Sequence, residues 1–217
     1  ANEVDHAFWK KFRQVCDETK EDFYILGEIW HSSQNWLQGD EFHAVMNYAY
    51  TDAILGYFVK EDLSLPKMVS EINQQLMLYR DQTNQMQFNV LDSHDTARLL
   101  TETNEDKDLM KQVMAFTYIQ PGVPCLYYGD EIGMEGFKDP YNRRPYKWNT
   151  GDTNLREAVR QLIKLRNNHP ALQTGEYIPL SCETDVLAYA RAIRGGADVF
   201  GKAVDKDETF IIAFNRH

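Results

Sequence analysis

The sequence predicts an α/β protein, with parallel strand–helix units over most of its length and a short antiparallel β segment after them. Two observations carry this. Short, nearly continuous apolar runs rich in β-formers alternate with stretches of helical spacing, which is the pattern of strands buried on both faces and joined by helices. After His169-Pro170 the helical spacing stops and strand-length runs follow one another across turns such as Arg194-Gly195-Gly196.

Taken in order, Val4, Ala7, Phe8, Phe12 and Val15 recur at helical spacing, predicting an amphipathic helix over about residues 4–20. Phe23-Tyr24-Ile25-Leu26-Gly27 is the first strand run and His43-Ala44-Val45-Met46-Asn47 the second. Residues near 67–80 read as helix, Gln87-Phe88-Asn89-Val90-Leu91 as the third strand, and 106–118 as helix, ended by Pro121. Cys125-Leu126-Tyr127-Tyr128 is the fourth strand and 155–166 another helix. Four parallel strands are too few to close an eight-stranded barrel, which takes roughly 250 residues. Residues 175–180, 186–193, 198–203 and 209–214 then read as short antiparallel strands.

Composition narrows the function. The 217 residues carry a net charge of -10, which disfavours nucleic acid as a partner, because phosphate contacts need clustered Lys and Arg. No apolar run approaches the roughly 20 residues of a membrane span. Cys16, Cys125 and Cys182 are odd in number and far apart, so they suggest neither a disulfide scaffold nor a zinc site. They fit a reducing compartment, and a cytoplasmic location is expected. The chain opens on Ala1-Asn2-Glu3-Val4-Asp5-His6, with no Met and no signal-peptide pattern, and reads as a cut inside a larger protein.

Three clusters follow strand runs. Glu28 comes directly after the first, where an apolar setting beside Trp30 would favour a general acid; the alternative is a solvated loop glutamate. Glu28 and His31 also form E-x-x-H, but metal ligation by that motif needs a helix, and Gly27 after a β-run argues for a strand end, so no metal is expected. His94 and Asp95 follow the third run, although Ser93 to Thr96 would serve equally as a helix N-cap. Two carboxyls at the ends of different parallel strands suit glycoside hydrolysis, one protonating the leaving oxygen and the other stabilising charge at the anomeric carbon. After the fourth run come Tyr128-Gly129-Asp130-Glu131-Ile132-Gly133 and then Asp139 and Arg143, which suit either sugar hydroxyls or a surface ion pair.

Gly27-Glu28-Ile29-Trp30-His31 and Ser93-His94-Asp95-Thr96-x-Arg98 resemble the acid/base and stabilising segments of the α-amylase clan. Ala1 through His6, Trp36-Leu37-x-Gly39-Asp40, Val45-Met46-Asn47-Tyr48, Pro121-Gly122-Val123-Pro124 and Tyr127 through Met134 are similar to the neopullulanase and cyclomaltodextrinase subgroup. The resemblance covers about residues 1–193. It implies that residues 1–170 are the C-terminal half of a (β/α)8 TIM barrel, and that 171–217 begin an antiparallel β domain. It further implies that Glu28 is the proton donor, Asp95 the stabilising carboxylate and His94 a hydroxyl contact. Asn2, Glu3, Trp30 and His31 would line the leaving-group side, with Asp139 and Arg143 on the other. The family's nucleophilic aspartate belongs two positions before Ala1, so the chain alone is expected to be inactive. The partner implied is an α-glucan oligosaccharide, with no cofactor, any calcium site lying in the absent half, and a homodimeric parent. Asn142 stands where relatives often carry Cys. The alternatives are an oligo-1,6-glucosidase, a general α-amylase or a non-catalytic α-glucan binder.

Overall fold

The computed structural model describes residues 1–183 and 185–215. Thr184 and the last two residues of the expected β segment lie outside the described residues.

Helix α1 (His6–Thr19) starts where the Asp5 carboxylate accepts the Ala7 N–H at 2.6 Å. Its length matches the spacing, but its stripe does not face a core: Phe8, Phe12 and Val15 are 53%, 40% and 48% exposed. Strand β1 (Leu26–Gly27) pairs in parallel with β2 (Ala44–Val45), both shorter than their apolar runs. Helix α2 (Tyr48–Phe58) follows, then α3 (Leu65–Leu78), capped by Ser64, and α4 (Asp81–Met86). Strand β3 (Phe88–Val90) leads through a turn to the short α5 (Leu99–Glu102) and to α6 (Lys107–Ile119), whose first amides bond to the Asp106 carboxylate.

Strand β4 (Val123–Cys125) pairs in parallel with β3. It lies two residues earlier than the Cys125–Tyr128 run predicts. The Val123 N–H finds the Gln87 carbonyl at 2.7 Å, and the chain leaves the ladder by Tyr127, whose side chain packs on Arg98 instead. A single parallel bridge, Met46 to Phe88, joins the two strand pairs in the order β1-β2-β3-β4. No closed barrel is formed among the described residues.

Helices α7 (Thr153–Asn168) and α8 (Pro170–Thr174) lead to an antiparallel sheet of β5 (Glu176–Glu183), β6 (Val186–Ile193) and β7 (Glu208–Asn215). The expected strand at 198–203 is not one. It is a turn-rich loop with one bridge, Ala197 to Ala203, in which the Asp198 carboxylate binds the amides of Phe200 and Lys202.

One core unites helices and sheet. Phe116 of α6 is fully buried and touches the rings of Phe58, Tyr189 and Phe214, so α2, α6, β6 and β7 share it. Two buried arginines tie the same parts together through backbone. Arg166 donates to the carbonyls of Tyr118, Gln120, Gly122 and Leu172, satisfying the C-terminal end of α6. Arg191 of β6 donates to Ile119 O and Gly175 O. A second, smaller cluster of Cys16, Ile25, Ile29, Trp36, Phe42 and Val45 lies under α1 and the first strand pair.

Candidate active site

The carboxyl ends of β1 and β3 set the site. Gly27 ends β1 against the Phe42 ring; a Cβ there would meet Phe42 Cδ2 at 2.5 Å, so the close approach demands glycine. The next residue, Glu28, turns outward while Ile29 returns to the core at 2% exposure. Glu28 is exposed, and the apolar enclosure expected around it is not built by the described residues. The Trp30 ring stacks on Tyr48 instead, with centroids 3.6 Å apart and planes 7° apart.

Beyond β3 the chain stays buried through Leu91, Asp92 and Ser93, then exposes His94 and Asp95. The Ser93–Thr96 stretch is a tight turn and not a helix N-cap. Thr96 Oγ1 accepts the Ser93 N–H at 2.8 Å, and Ser93 Oγ accepts the Asp95 N–H at 3.1 Å. The carboxylate that serves the following helix is Asp92, accepting the Leu99 N–H at 2.8 Å.

The turn places His94 Nε2 3.1 Å from Asp95 Oδ2. It also brings His94, Asp95 and Glu28 together, with ligand atoms of all three within 4.8 Å of one another. His31 is not part of this group. Its Nδ1 sits 3.0 Å from Ser32 O and its ring faces Trp36.

The remaining expected residues surround this centre unevenly. The Ala1 ammonium donates to Glu28 O at 3.0 Å, which brings the N-terminal residues to the acid's strand end; Asn2 Nδ2 donates to Glu3 Oε1 at 3.1 Å. Arg143 lies closer to Asp95 than to Asp139. Its Nη2 donates to Asp95 Oδ1 at 3.1 Å, whereas its Nε is 3.5 Å from Asp139 Oδ1. The ion pair expected on one side of the cleft thus reaches the centre itself.

Residues to which the sequence assigned no role in the site support it from below. Tyr48 is buried beneath Trp30, with its hydroxyl 3.4 Å from Ser93 Oγ. Burial raises its phenol above the usual range, and Glu28 and Asp95 nearby add to this, so it stays protonated. Deeper still, Asp92 and Asp130 are buried side by side, and Arg98 reaches Asp130 Oδ1 at 3.3 Å. Burial holds both carboxyls above the ordinary range, and for Asp130 the neighbouring Asp92 adds to it.

Such a constellation, an exposed carboxyl at one strand end facing a His–carboxylate pair at another, can donate a proton and stabilise a cation across a short gap. Known proteins resemble this chain over most of its length. Residues 2–171 match the family model for the alpha amylase catalytic domain. An intracellular maltogenic amylase of Bacillus subtilis is 42% identical over 198 residues, covering 89% of this chain and 34% of that protein. Neopullulanase 2 of Thermoactinomyces vulgaris is 42% identical over 194 residues, covering 88% of this chain and 33% of its own length. A solved cyclomaltodextrinase superposes with a TM-score of 0.89 at 41% identity, over 99% of this chain and 36% of that one. The chain spans about a third of the length of the curated relatives it matches, 34% and 33% for these two. With most of its length matched by that family model and by these relatives, the chain belongs to the alpha-amylase catalytic-domain family.

Proposed function

We propose that the protein carrying this chain is a retaining hydrolase of α-glucosidic bonds in cyclomaltodextrins, pullulan or maltooligosaccharides. The observation that carries the reading is the convergence of Glu28, His94 and Asp95 at the ends of two parallel strands. Glu28 gives its proton to the glycosidic oxygen as the bond to the anomeric carbon breaks. It takes a proton back from water when the glycosyl intermediate is released. Asp95 faces the positive charge that develops at the ring, and His94 binds a sugar hydroxyl. Trp30, held flat by Tyr48, offers an apolar platform to the leaving sugar, with Asn2, Glu3 and His31 on the same side. Arg143 and Asp139 hold a glucose unit on the other. The proposed chemistry uses side chains alone, without a cofactor or metal.

The subgroup reading draws on relatives named cyclomaltodextrinase, maltogenic amylase and neopullulanase. A cytoplasmic location is supported by the word intracellular in the Bacillus subtilis relative's name, and no described helix is long and apolar enough to cross a membrane. We further propose a homodimeric whole protein.

Under this reading the nucleophilic carboxylate comes from outside these 217 residues, and the chain alone binds α-glucan without turning it over. A second reading is favoured by the short gap at the site. Retaining enzymes hold acid and nucleophile roughly 5–5.5 Å apart, and Glu28 and Asp95 approach within 4.8 Å. In that case Asp95 is itself the nucleophile and the chain is sufficient. Steady turnover of a cyclomaltodextrin by the purified chain would select the second reading.

Glu28→Gln and Asp95→Asn in the full-length protein test the roles. Glu28→Gln should lower kcat on cyclomaltodextrin by about 10³-fold, within the usual range for general acid catalysis. It should cost far less on an aryl maltoside whose leaving group needs no proton. Asp95→Asn should lose about 10²–10³-fold on both, as expected for lost charge stabilisation. Equal losses on both substrates for Glu28→Gln would remove it as the acid.

A further inference from the structure

We propose that Asn142 is a positioning residue for the site, clamping the His94–Asp95 turn through its backbone carbonyls. The inference rests on the reading of Asp95 as the carboxylate that acts on the substrate.

The turn from Ser93 to Thr96 belongs to no strand or helix, so no ladder holds its carbonyl groups. Its internal bonds are Ser93 N–H to Thr96 Oγ1, Asp95 N–H to Ser93 Oγ and a long Thr96 N–H to Ser93 O at 3.4 Å, which leaves the His94 and Thr96 carbonyls without a partner inside the turn. The carbonyls point to the 3-10 turn at Tyr141–Arg143, 48 residues further along. There Asn142, with no exposed surface, donates from Nδ2 to His94 O at 2.8 Å and to Thr96 O at 2.7 Å. Two hydrogens serve these two bonds, and Ser93 O at 3.5 Å takes a weaker share. The His94 carbonyl belongs to the peptide that enters Asp95 and the Thr96 carbonyl to the peptide that leaves Thr96, so the amide pins the turn before and after the Asp95–Thr96 step.

The base from which Asn142 reaches is itself held. Its carbonyl accepts the Tyr127 hydroxyl at 3.4 Å. Gly136 packs its backbone against Tyr141 so closely that a Cβ there would overlap the Tyr141 carbonyl. Gly136 is tied in turn to the chain after the site: its N–H donates to Thr101 Oγ1 at 2.8 Å, and its carbonyl accepts the Arg98 N–H at 2.9 Å. Arg143 completes the clamp, donating to the same His94 carbonyl at 3.1 Å and to Asp95 Oδ1 at 3.1 Å. Asn142 touches neither carboxylate of the site; it acts through the turn.

A displacement of about 1 Å at reacting groups costs on the order of 10²-fold in rate. Asn142→Ala in the full-length protein should therefore lower kcat on cyclomaltodextrin by about 10²-fold while KM changes by less than about 3-fold, the pattern of an interaction realised in the transition state. Asn142→Ser keeps one donor and should recover about a tenfold part of that loss. Amide hydrogen exchange supplies a readout independent of turnover: Ser93, Asp95 and Thr96 should exchange about tenfold faster in Asn142→Ala, with α6 unchanged, as local opening requires. A kcat within about 3-fold of wild type, equal losses for Ala and Ser, or faster exchange across the whole molecule would each overturn the proposal. Should Asn142→Ala fail to fold, Asn142→Ser carries the same measurements. If the wild-type protein proves inactive, the hydrolase reading falls, and exchange at the turn alone decides the role of Asn142.

Discussion

Asp92 and Asp130 share a buried space with one arginine, and that imbalance has a cost that depends on pH. Both carboxyls titrate above their ordinary value of 3.8 in the folded protein. A raised carboxyl favours its protonated form in the folded state, so its stabilising contribution is complete below the unfolded value and is lost as pH rises through the folded one. The urea midpoint of the wild type, minus that of Asp130→Asn, should therefore fall steadily from pH 4 upward. Asparagine keeps an acceptor for Arg98 and carries no charge, so parallel curves for the two proteins would refute the idea. At this scale the sequence shows part of the site. Glu28, His94 and Asp95 stand out because each follows an apolar strand run and sits in a segment that resembles the family's motifs, and the structure brings the three together. Asn142, Tyr48 and Ser93 appear in the sequence reading, but their contacts do not, because their partners lie 45 to 48 residues away and only folding brings them together.

Elements divide by how they bury themselves. Helices α1, α3, α6 and α7 show an apolar stripe in sequence, and each is found within two or three residues of its predicted limits. Helix α2 shows none, since Tyr48, Tyr50, Thr51 and every residue from Ala53 to Phe58 are buried, and a helix enclosed on all sides has no periodicity to read. The 198–203 run mimics a strand in its residues but is bent by Asp198 and Gly201, the latter at φ 76°. Helix α6 is the element on which the core depends most. Replacing Phe116 by Ala removes the ring shared by α2, β6 and β7, and should cost about 3–5 kcal/mol in urea unfolding, as large-to-small changes at buried aromatics do. A loss under about 1 kcal/mol would show that the sheet and helices do not share one core.

Across the whole molecule, two surfaces invite association. The outer sides of β1 and β4 carry no described strand partner, and the α1 stripe leaves Phe8, Phe12 and Val15 in solvent. Unpaired parallel edges beside apolar surface favour pairing with another chain. The 217-residue chain should sediment as a concentration-dependent mixture at micromolar levels; a monodisperse monomer would contradict this. Parallel layering was readable from strand–helix alternation, whereas the packing of the antiparallel sheet against the helical core was not. Nothing in the periodicity of 186–193 says that Tyr189 meets Phe116.

Among the described residues the bridge between Met46 and Phe88 is the backbone pairing that joins the two strand pairs, supported by the Asn47 N–H on Phe88 O at 2.9 Å, by Asn47 Nδ2 on Asn89 Oδ1 at 2.9 Å and by the Val45 N–H on Gln87 Oε1 at 3.3 Å. Glu28 rides on one side of that seam and Asp95 on the other. The gap between them is thus a property of the seam and of neither pair. A shift at that seam would change the separation of Glu28 and Asp95 without altering either strand end. Asn47 and Asn89, bonded to each other across that seam, therefore help to set the spacing of Glu28 and Asp95.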